Sequence, residues 1–213
     1  MKTDPTGSSP LRAAAGRIAL PLLRRVRKLV SVLSWRFKGS PVLGPTENKP
    51  AMLLATARER GLRVLVETGT YMGGTIEATK TDFDEIWSIE LDERLHDEVA
   101  KRYRADPRIH CLQGDSGTVI AQVLAKLDRP ALFWLDAHYS SGLTAWTGRD
   151  TPVLEELSAI MSHPVKGHVI LVDDAQLFGP DPAYPTLDQV RELAHRLWPS
   201  ASVTVADDII WIS

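Results

Sequence analysis

Short runs of branched and aromatic apolar residues recur at a fixed interval in this chain, and that rhythm constrains the fold more than any other feature. Leu62 to Glu67, Glu85 to Glu90, Arg108 to Gln113 and Ala131 to Asp136 begin 23 residues apart, and His168 to Asp173 is a fifth run of the same kind. Each has strand length and is rich in branched aliphatic or aromatic residues, and the stretches between them read as helices, with Asp92 to Arg104, Ser116 to Leu127, Thr151 to Met161 and Thr186 to Trp198 the clearest. Ser116 and Thr151 are the expected caps of their helices, and Pro152 suits a first helical position. Thr46 is expected to cap an earlier helix that runs to about Arg60 and stops at Gly61. Strands that alternate with helices pair in parallel through right-handed crossovers, so an α/β sheet covered on both faces follows. The rhythm breaks at the end, where Ser202 to Ala206 and Ile209 to Ile212 flank Asp207-Asp208 and predict a tight antiparallel hairpin.

Charge divides the chain in two. Residues 1 to 40 hold nine Lys or Arg against Asp4 alone, which leaves the remainder near −10 although the whole chain is only −2. An acidic main domain disfavours a nucleic-acid partner and suits a small ligand. Within the basic segment, Leu11 to Phe37 mixes Ile18, Leu22, Leu23, Val26, Leu29, Val30 and Leu33 with Arg17, Arg24, Arg25, Arg27 and Lys28, the pattern of a basic amphipathic helix. Three readings stay open for it: peripheral membrane contact through residues 11–38, packing on its own domain or on the mate of a homodimer, or an Arg-rich targeting peptide. No apolar run reaches the ~20 residues of a membrane span, and no signal-peptide core follows the charges, so a cytoplasmic or membrane-peripheral protein is expected. The division expected is a basic segment and linker over 1–45 and a ligand-binding domain over 46–213. Cys111 is the single cysteine and reads as a buried strand residue in a reducing compartment.

The first strand runs into Glu67-Thr68-Gly69-Thr70-Tyr71-Met72-Gly73-Gly74. Glycines allow the backbone to turn tightly and approach a ligand, and the helix that opens after them offers free N–H groups. A dinucleotide fingerprint requires G-x-G-x-x-G, whereas this loop reads acid-x-G-x-x-x-G-G. An acid at that point repels a pyrophosphate and attracts the ammonium of a methionine moiety. Glu90 closes the second strand, where a carboxylate is placed to accept both ribose hydroxyls. Asp115 follows the third, where it can accept from an adenine amine, and Ser116 starts the next helix. Three acids at successive strand ends fit one nucleoside laid across the sheet edge.

On these residues the chain resembles class I S-adenosylmethionine-dependent methyltransferases, over about residues 46 to 213. The resemblance implies a Rossmann-like, seven-stranded, mostly parallel sheet, with the terminal hairpin as its reversed last strand. It implies Glu67, Gly69 and Gly73 in the methionine-binding loop, Glu90 on the ribose and Asp115 near the adenine; Tyr71, Ser116 and Asp136, which adjoin these positions or face the same crevice, are further cofactor-binding candidates.

In a doubly wound sheet the fourth strand lies beside the first, so Asp136 should face the crevice with Asp173 and Asp174 next to it. Three converging carboxylates need a shared proton or cation, and all-oxygen ligation suits Mg²⁺ or Ca²⁺ better than zinc. Metal-dependent O-methyltransferases resemble this arrangement, which implies Asp136, Asp173 and Asp174 as metal ligands and a small hydroxylated acceptor. The lysine base of many such enzymes is absent, and His138 takes its place as candidate base, alongside a structural reading of the same residue. Tyr139 to Asp150 and Phe178 to Pro185 are the expected rims of the crevice. A chain that binds the cofactor without methyl transfer is the competing reading. Zinc hydrolysis, α/β-hydrolase chemistry and nucleoside triphosphate cleavage are set aside, because the sequence holds no His-Cys cluster, no G-x-S-x-G elbow and no Walker loop.

Overall fold

The computed structural model describes residues 45–136 and 151–213. The basic amphipathic segment, His138 and the rim Tyr139 to Asp150 lie outside the described residues. The chain divides into two compact units, Met1–Lys49 and Pro50–Ser213. No helix among the described residues is long and apolar enough to cross a membrane.

Helix α1 (Pro45–Arg60) leads into a strict alternation: β1 (Val64–Thr68), α2 (Gly74–Thr79), β2 (Glu85–Glu90), α3 (Glu93–Tyr103), β3 (Ile109–Gln113), α4 (Ser116–Leu124), β4 (Leu132–Leu135), α5 (Val153–Met161) and β5 (Val169–Val172). A 3₁₀ turn (Ala175–Leu177), α6 (Leu187–Leu197), β6 (Val203–Ala206) and β7 (Ile209–Ile212) complete it. The seven strands form one sheet in the order β3-β2-β1-β4-β5-β7-β6, parallel except for β7, which pairs antiparallel with both β5 and β6. The α/β class, the mostly parallel sheet and the terminal hairpin are those expected from the sequence. Asp207 and Asp208 both take positive φ, 52° and 64°, as a type I′ hairpin turn requires.

Side-chain alternation along each strand sorts the core into two layers. Val64 and Val66 of β1, Phe133 and Leu135 of β4 and Ile170 and Val172 of β5 meet α4, α5 and α6 on one face. Leu65, Leu132, Trp134 and Leu171 meet α1, α2 and α3 on the other. β1, β4 and β5 are buried at every position, which is the burial of a central parallel strand. Each such Leu, Ile or Val contributes about 1.5–3 kcal/mol by leaving water, so the middle of the sheet is fixed and polar groups are confined to strand ends.

Several local expectations are corrected. Thr46 lies inside α1 and does not precede it. Thr68, one residue beyond Glu67, is the last residue of β1, and α4 ends at Leu124, before Leu127. Asp115 caps α4 in place of Ser116, because its carboxylate reaches the free N–H of Gly117. Pro152, not Thr151, holds the cap position of α5, and no side chain bonds the helix start there. A Cβ on Gly117 would come within 3.1 Å of the Pro152 Cβ, so close packing on α4 sets where α5 begins. Cys111 is half-buried, and burial pushes its thiol up to about 11, which leaves it an inert strand residue.

Candidate functional site

The parallel register carries the acids to one edge. Glu67 pairs with Ser88, Glu90 with Gln113 and Thr68 with Leu135. Backbone bonds then extend the ladder past the strands. Gly69 N–H donates to the Ile89 carbonyl at 2.9 Å and Gly114 N–H to that of Glu90 at 2.9 Å. Asp136 N–H donates to Thr68 at 3.0 Å and Asp173 N–H to Leu135 at 3.0 Å. Glu67, Glu90, Asp115, Asp136 and Asp173 are thereby held at the carboxyl ends of five adjacent strands, where doubly wound sheets open their ligand crevice.

Glu67 is 1% exposed, and the Ser88 hydroxyl donates to its Oε2 at 2.7 Å. Ser88 is in turn 2.6 Å from the Thr70 hydroxyl, so a short chain of hydroxyls anchors the glycine loop to the acid. Loss of water pushes the Glu67 carboxyl up to about 7, against the pull of the Thr75 and Ser88 hydroxyls and with the help of the negative Asp136 and Glu90. A carboxyl so placed gains most from an arriving cation. Ser88 was not among the residues singled out by sequence, although a lone hydroxyl inside the apolar run Trp87 to Ile89 is the signal that would have found it.

Glu90 is nearly as buried, at 4% exposed, and it organises two backbones at once. Oε2 accepts from Tyr71 N–H at 2.7 Å and Oε1 from Asp92 N–H at 2.9 Å. Two of the roughly four lone-pair positions of a carboxylate stay open for hydroxyl donors. Tyr71 contributes this N–H from a left-handed conformation, φ 49°, rare outside glycine, while its ring is half exposed. Gly73, φ 73°, starts α2, and a Cβ there would sit 3.2 Å from Val99 Cγ1. Asp115 Oδ1 accepts from Gly117 N–H at 3.0 Å, which fixes the start of α4 at this edge of the sheet. Ser116 is buried with its hydroxyl turned inward to Glu156 of α5. Of the expected rims, Phe178 to Pro185 is anchored by Phe178 and Tyr184, buried with ring centroids 5.4 Å apart, while Gly179, Pro180 and Pro182 are exposed.

One carboxylate oxygen from each of Asp136, Asp173 and Asp174 lies within 4.8 Å of the others. Asp173 is buried, and Asp174 is held at φ 56°, a left-handed conformation that Asp tolerates better than most non-glycine residues. Three oxygen donors at this spacing fit a hard divalent cation.

The fold is the one seen in solved S-adenosylmethionine-dependent methyltransferases. No family model matches the sequence, and no curated protein matches it. Solved structures do. The chain is similar to the methyltransferase PaMTH1 of Podospora anserina bound to S-adenosylhomocysteine, with 17% identity, a TM-score of 0.53, and coverage of 100% of this chain and 98% of that one. The O-methyltransferase TomG of Streptomyces achromogenes, solved with S-adenosylmethionine, is 18% identical over 85% of this chain and 86% of its own, with a TM-score of 0.53. An O-methyltransferase of Bacillus cereus in complex with S-adenosylhomocysteine is 14% identical over 87% and 88%, with a TM-score of 0.55.

Proposed function

We propose that the chain transfers a methyl group from S-adenosylmethionine to a hydroxyl of a small acceptor, assisted by a divalent cation. The observation that carries the reading is the buried Glu67 carboxyl beside Glu90 and Asp115 on three consecutive strand ends. Glu67, held by Ser88, meets the ammonium of the methionine moiety. Glu90 accepts from the ribose hydroxyls with the lone pairs that Tyr71 and Asp92 leave open. Asp115 and the start of α4 receive the adenine. The bound sulfonium supplies the methyl group, and transfer needs an in-line hydroxyl more than covalent help from the protein.

Asp136, Asp173 and Asp174 would hold the cation, Mg²⁺ being the natural choice for oxygen donors, and it would lower the pKa of a bound hydroxyl. His138, two residues beyond Asp136, is the proposed base that takes the hydroxyl proton. Similar solved structures include both O-methyltransferases and an N-methyltransferase, so the choice of oxygen rests on the proposed cation, which favours a hydroxyl acceptor.

Calorimetric titration of S-adenosylhomocysteine, followed by turnover with a panel of small hydroxylated acceptors with and without Mg²⁺, tests this. Micromolar binding and Mg²⁺-dependent transfer are expected. Asp173→Asn should lower turnover about 100-fold with cofactor affinity kept. Turnover indifferent to chelation would remove the metal role, binding without transfer to any acceptor would favour a non-catalytic cofactor-binding protein, and absence of binding would remove the whole reading.

A further inference from the structure

The turn between β1 and α2 is gripped from two sides. Thr70 to Gly73 closes on itself, with Gly73 N–H donating to the Thr70 carbonyl at 2.9 Å, and Tyr71 within it takes φ 49°. Tyr71 and Met72 are each about half exposed, so packing of their side chains does not set the shape of the turn. Hydrogen bonds to its main chain do. On one side Glu90 Oε2 accepts from Tyr71 N–H at 2.7 Å. On the other, Arg102 of α3 donates from Nη1 to the Met72 carbonyl at 2.8 Å. Arg102 lies in the last turn of its helix, where a basic side chain ordinarily stays with the carbonyls and negative dipole end of that helix. This one crosses to the start of α2 instead. Its guanidinium carbon is 5.9 Å from the centre of the Tyr103 ring, and a Cβ on Gly73 would stand 3.5 Å from Nη1. α2 has an anchor of its own, because the Tyr103 hydroxyl donates to Glu77 Oε2 at 2.7 Å. Removing the Arg102 donor therefore frees the turn and leaves the helix after it in place.

We propose that Arg102 is a positioning residue: through the Met72 carbonyl it holds the turn that keeps Tyr71 N–H on Glu90, and so it sets the aim of Glu90 at the cofactor ribose. The two grips lie on the peptide groups either side of Tyr71 and Met72, and each limits how far the other can drift. With the Met72 carbonyl released, Tyr71 is free to leave a left-handed conformation that is rare outside glycine, and its N–H turns away from Glu90. Glu90 is then braced by Asp92 N–H at Oε1 alone, and Oε2 loses the donor that fixed it. A carboxylate held at one oxygen swings, and its open lone pairs no longer face one direction.

This inference rests on the cofactor reading of the crevice, and the experiment separates the two. Affinity for S-adenosylhomocysteine is measured by calorimetry on the full chain, on Arg102→Met, which keeps the apolar stem and removes the donors, and on Arg102→Lys, which keeps a donor. Urea unfolding establishes that each variant is native under the assay conditions. Arg102→Met should bind about fivefold more weakly than wild type, and Arg102→Lys should stay within about twofold of it. The same Arg102→Met change is then made in a Glu90→Gln background, where one of the two acceptor oxygens is already gone. There it should cost less than about twofold, because a residue that acts through Glu90 has little left to position. An unchanged Kd in Arg102→Met, with or without a loss of stability, would overturn the proposal and leave the cofactor reading standing. So would an Arg102→Lys variant as weak as Arg102→Met, or a full fivefold loss in the Glu90→Gln background. No binding by the wild-type chain would overturn both.

Discussion

Asp208, at the tip of the β6–β7 hairpin, accepts from the backbone N–H of Gln176 through Oδ1 at 2.8 Å, and its carbonyl accepts from Ala175 N–H at 2.9 Å. The one reversed strand of the sheet thus carries a turn that grips the backbone immediately after Asp173 and Asp174. Asp208→Ala loses this acceptor and places alanine at φ 64°, so a destabilisation of about 1–2 kcal/mol is expected. Asp208→Asn keeps the acceptor and tolerates the backbone, and should stay within about 0.5 kcal/mol of wild type. If the Asp cluster holds Mg²⁺, Asp208→Ala should also weaken it about fivefold. Urea unfolding and Mg²⁺ calorimetry on the two variants check this.

Glu67 titrates near 7 in the folded chain and near 4.5 in the unfolded one. Stability from this group is therefore full below pH 4.5 and lost as pH climbs to 7, by about 3 kcal/mol at 1.36 kcal/mol per unit. Glu67→Gln removes that loss, so it should raise the unfolding free energy by up to about 3 kcal/mol at pH 8 and leave it nearly unchanged at pH 4.5. The same variant should bind S-adenosylhomocysteine at least about tenfold more weakly at pH 8. Equal stability of the two chains at pH 8 would contradict the buried, strained state of the acid.

His168 responds to acid at the opposite end of the sheet. Its Nδ1 accepts from Ala131 N–H at 3.0 Å, and its Nε2 lies 3.1 Å from His163 Nδ1. Burial, with the neighbouring His163 next in effect, lowers it to about 4 from 6.5. The unfolded chain takes up a proton first, so stability is complete above pH 6.5 and falls by about 3 kcal/mol as pH drops to 4. His168→Asn retains an acceptor for Ala131 without this titration, and its stability should decline less between pH 6.5 and 4.5 in parallel urea titrations. Equal declines would remove His168 from the account.

Gly73→Ala would force a methyl group into a site 3.2 Å from Val99 Cγ1 at φ 73°. A cost of about 1–2 kcal/mol is expected from backbone and contact together, with cofactor affinity reduced because α2 begins there. Thermal unfolding and calorimetry report the two effects.

Much of this was legible in the sequence because parallel sheets write themselves plainly: doubly buried strands must be apolar throughout, so the acids that end them stand out. β2 and β7 keep the expected boundaries, and Glu67, Glu90, Asp115, Asp136 and Asp173 come to one edge as their strand-end positions require. Helix starts were less legible, since neighbouring Asp115 and Ser116 are both good caps and only the packing of α4 on α5 decides between them. Glu156 was hidden by its chemistry. Its place in the 3- and 4-residue spacing of Val153, Leu157 and Ile160 marks it as inward, yet a glutamate in a helix ordinarily reads as solvated surface.

Glu90 and Asp115 serve the empty molecule as much as a full one, the first by bracing the loop and the turn after β2, the second by starting a helix. Under the proposed function, a descendant that gave up the ligand would still be damaged by dropping either. Glu67 has the reverse status, because the fold is more secure without its charge. Such a descendant would shed Glu67 early and keep its two neighbours, so an acid retained at this one position distinguishes a working pocket from a relic.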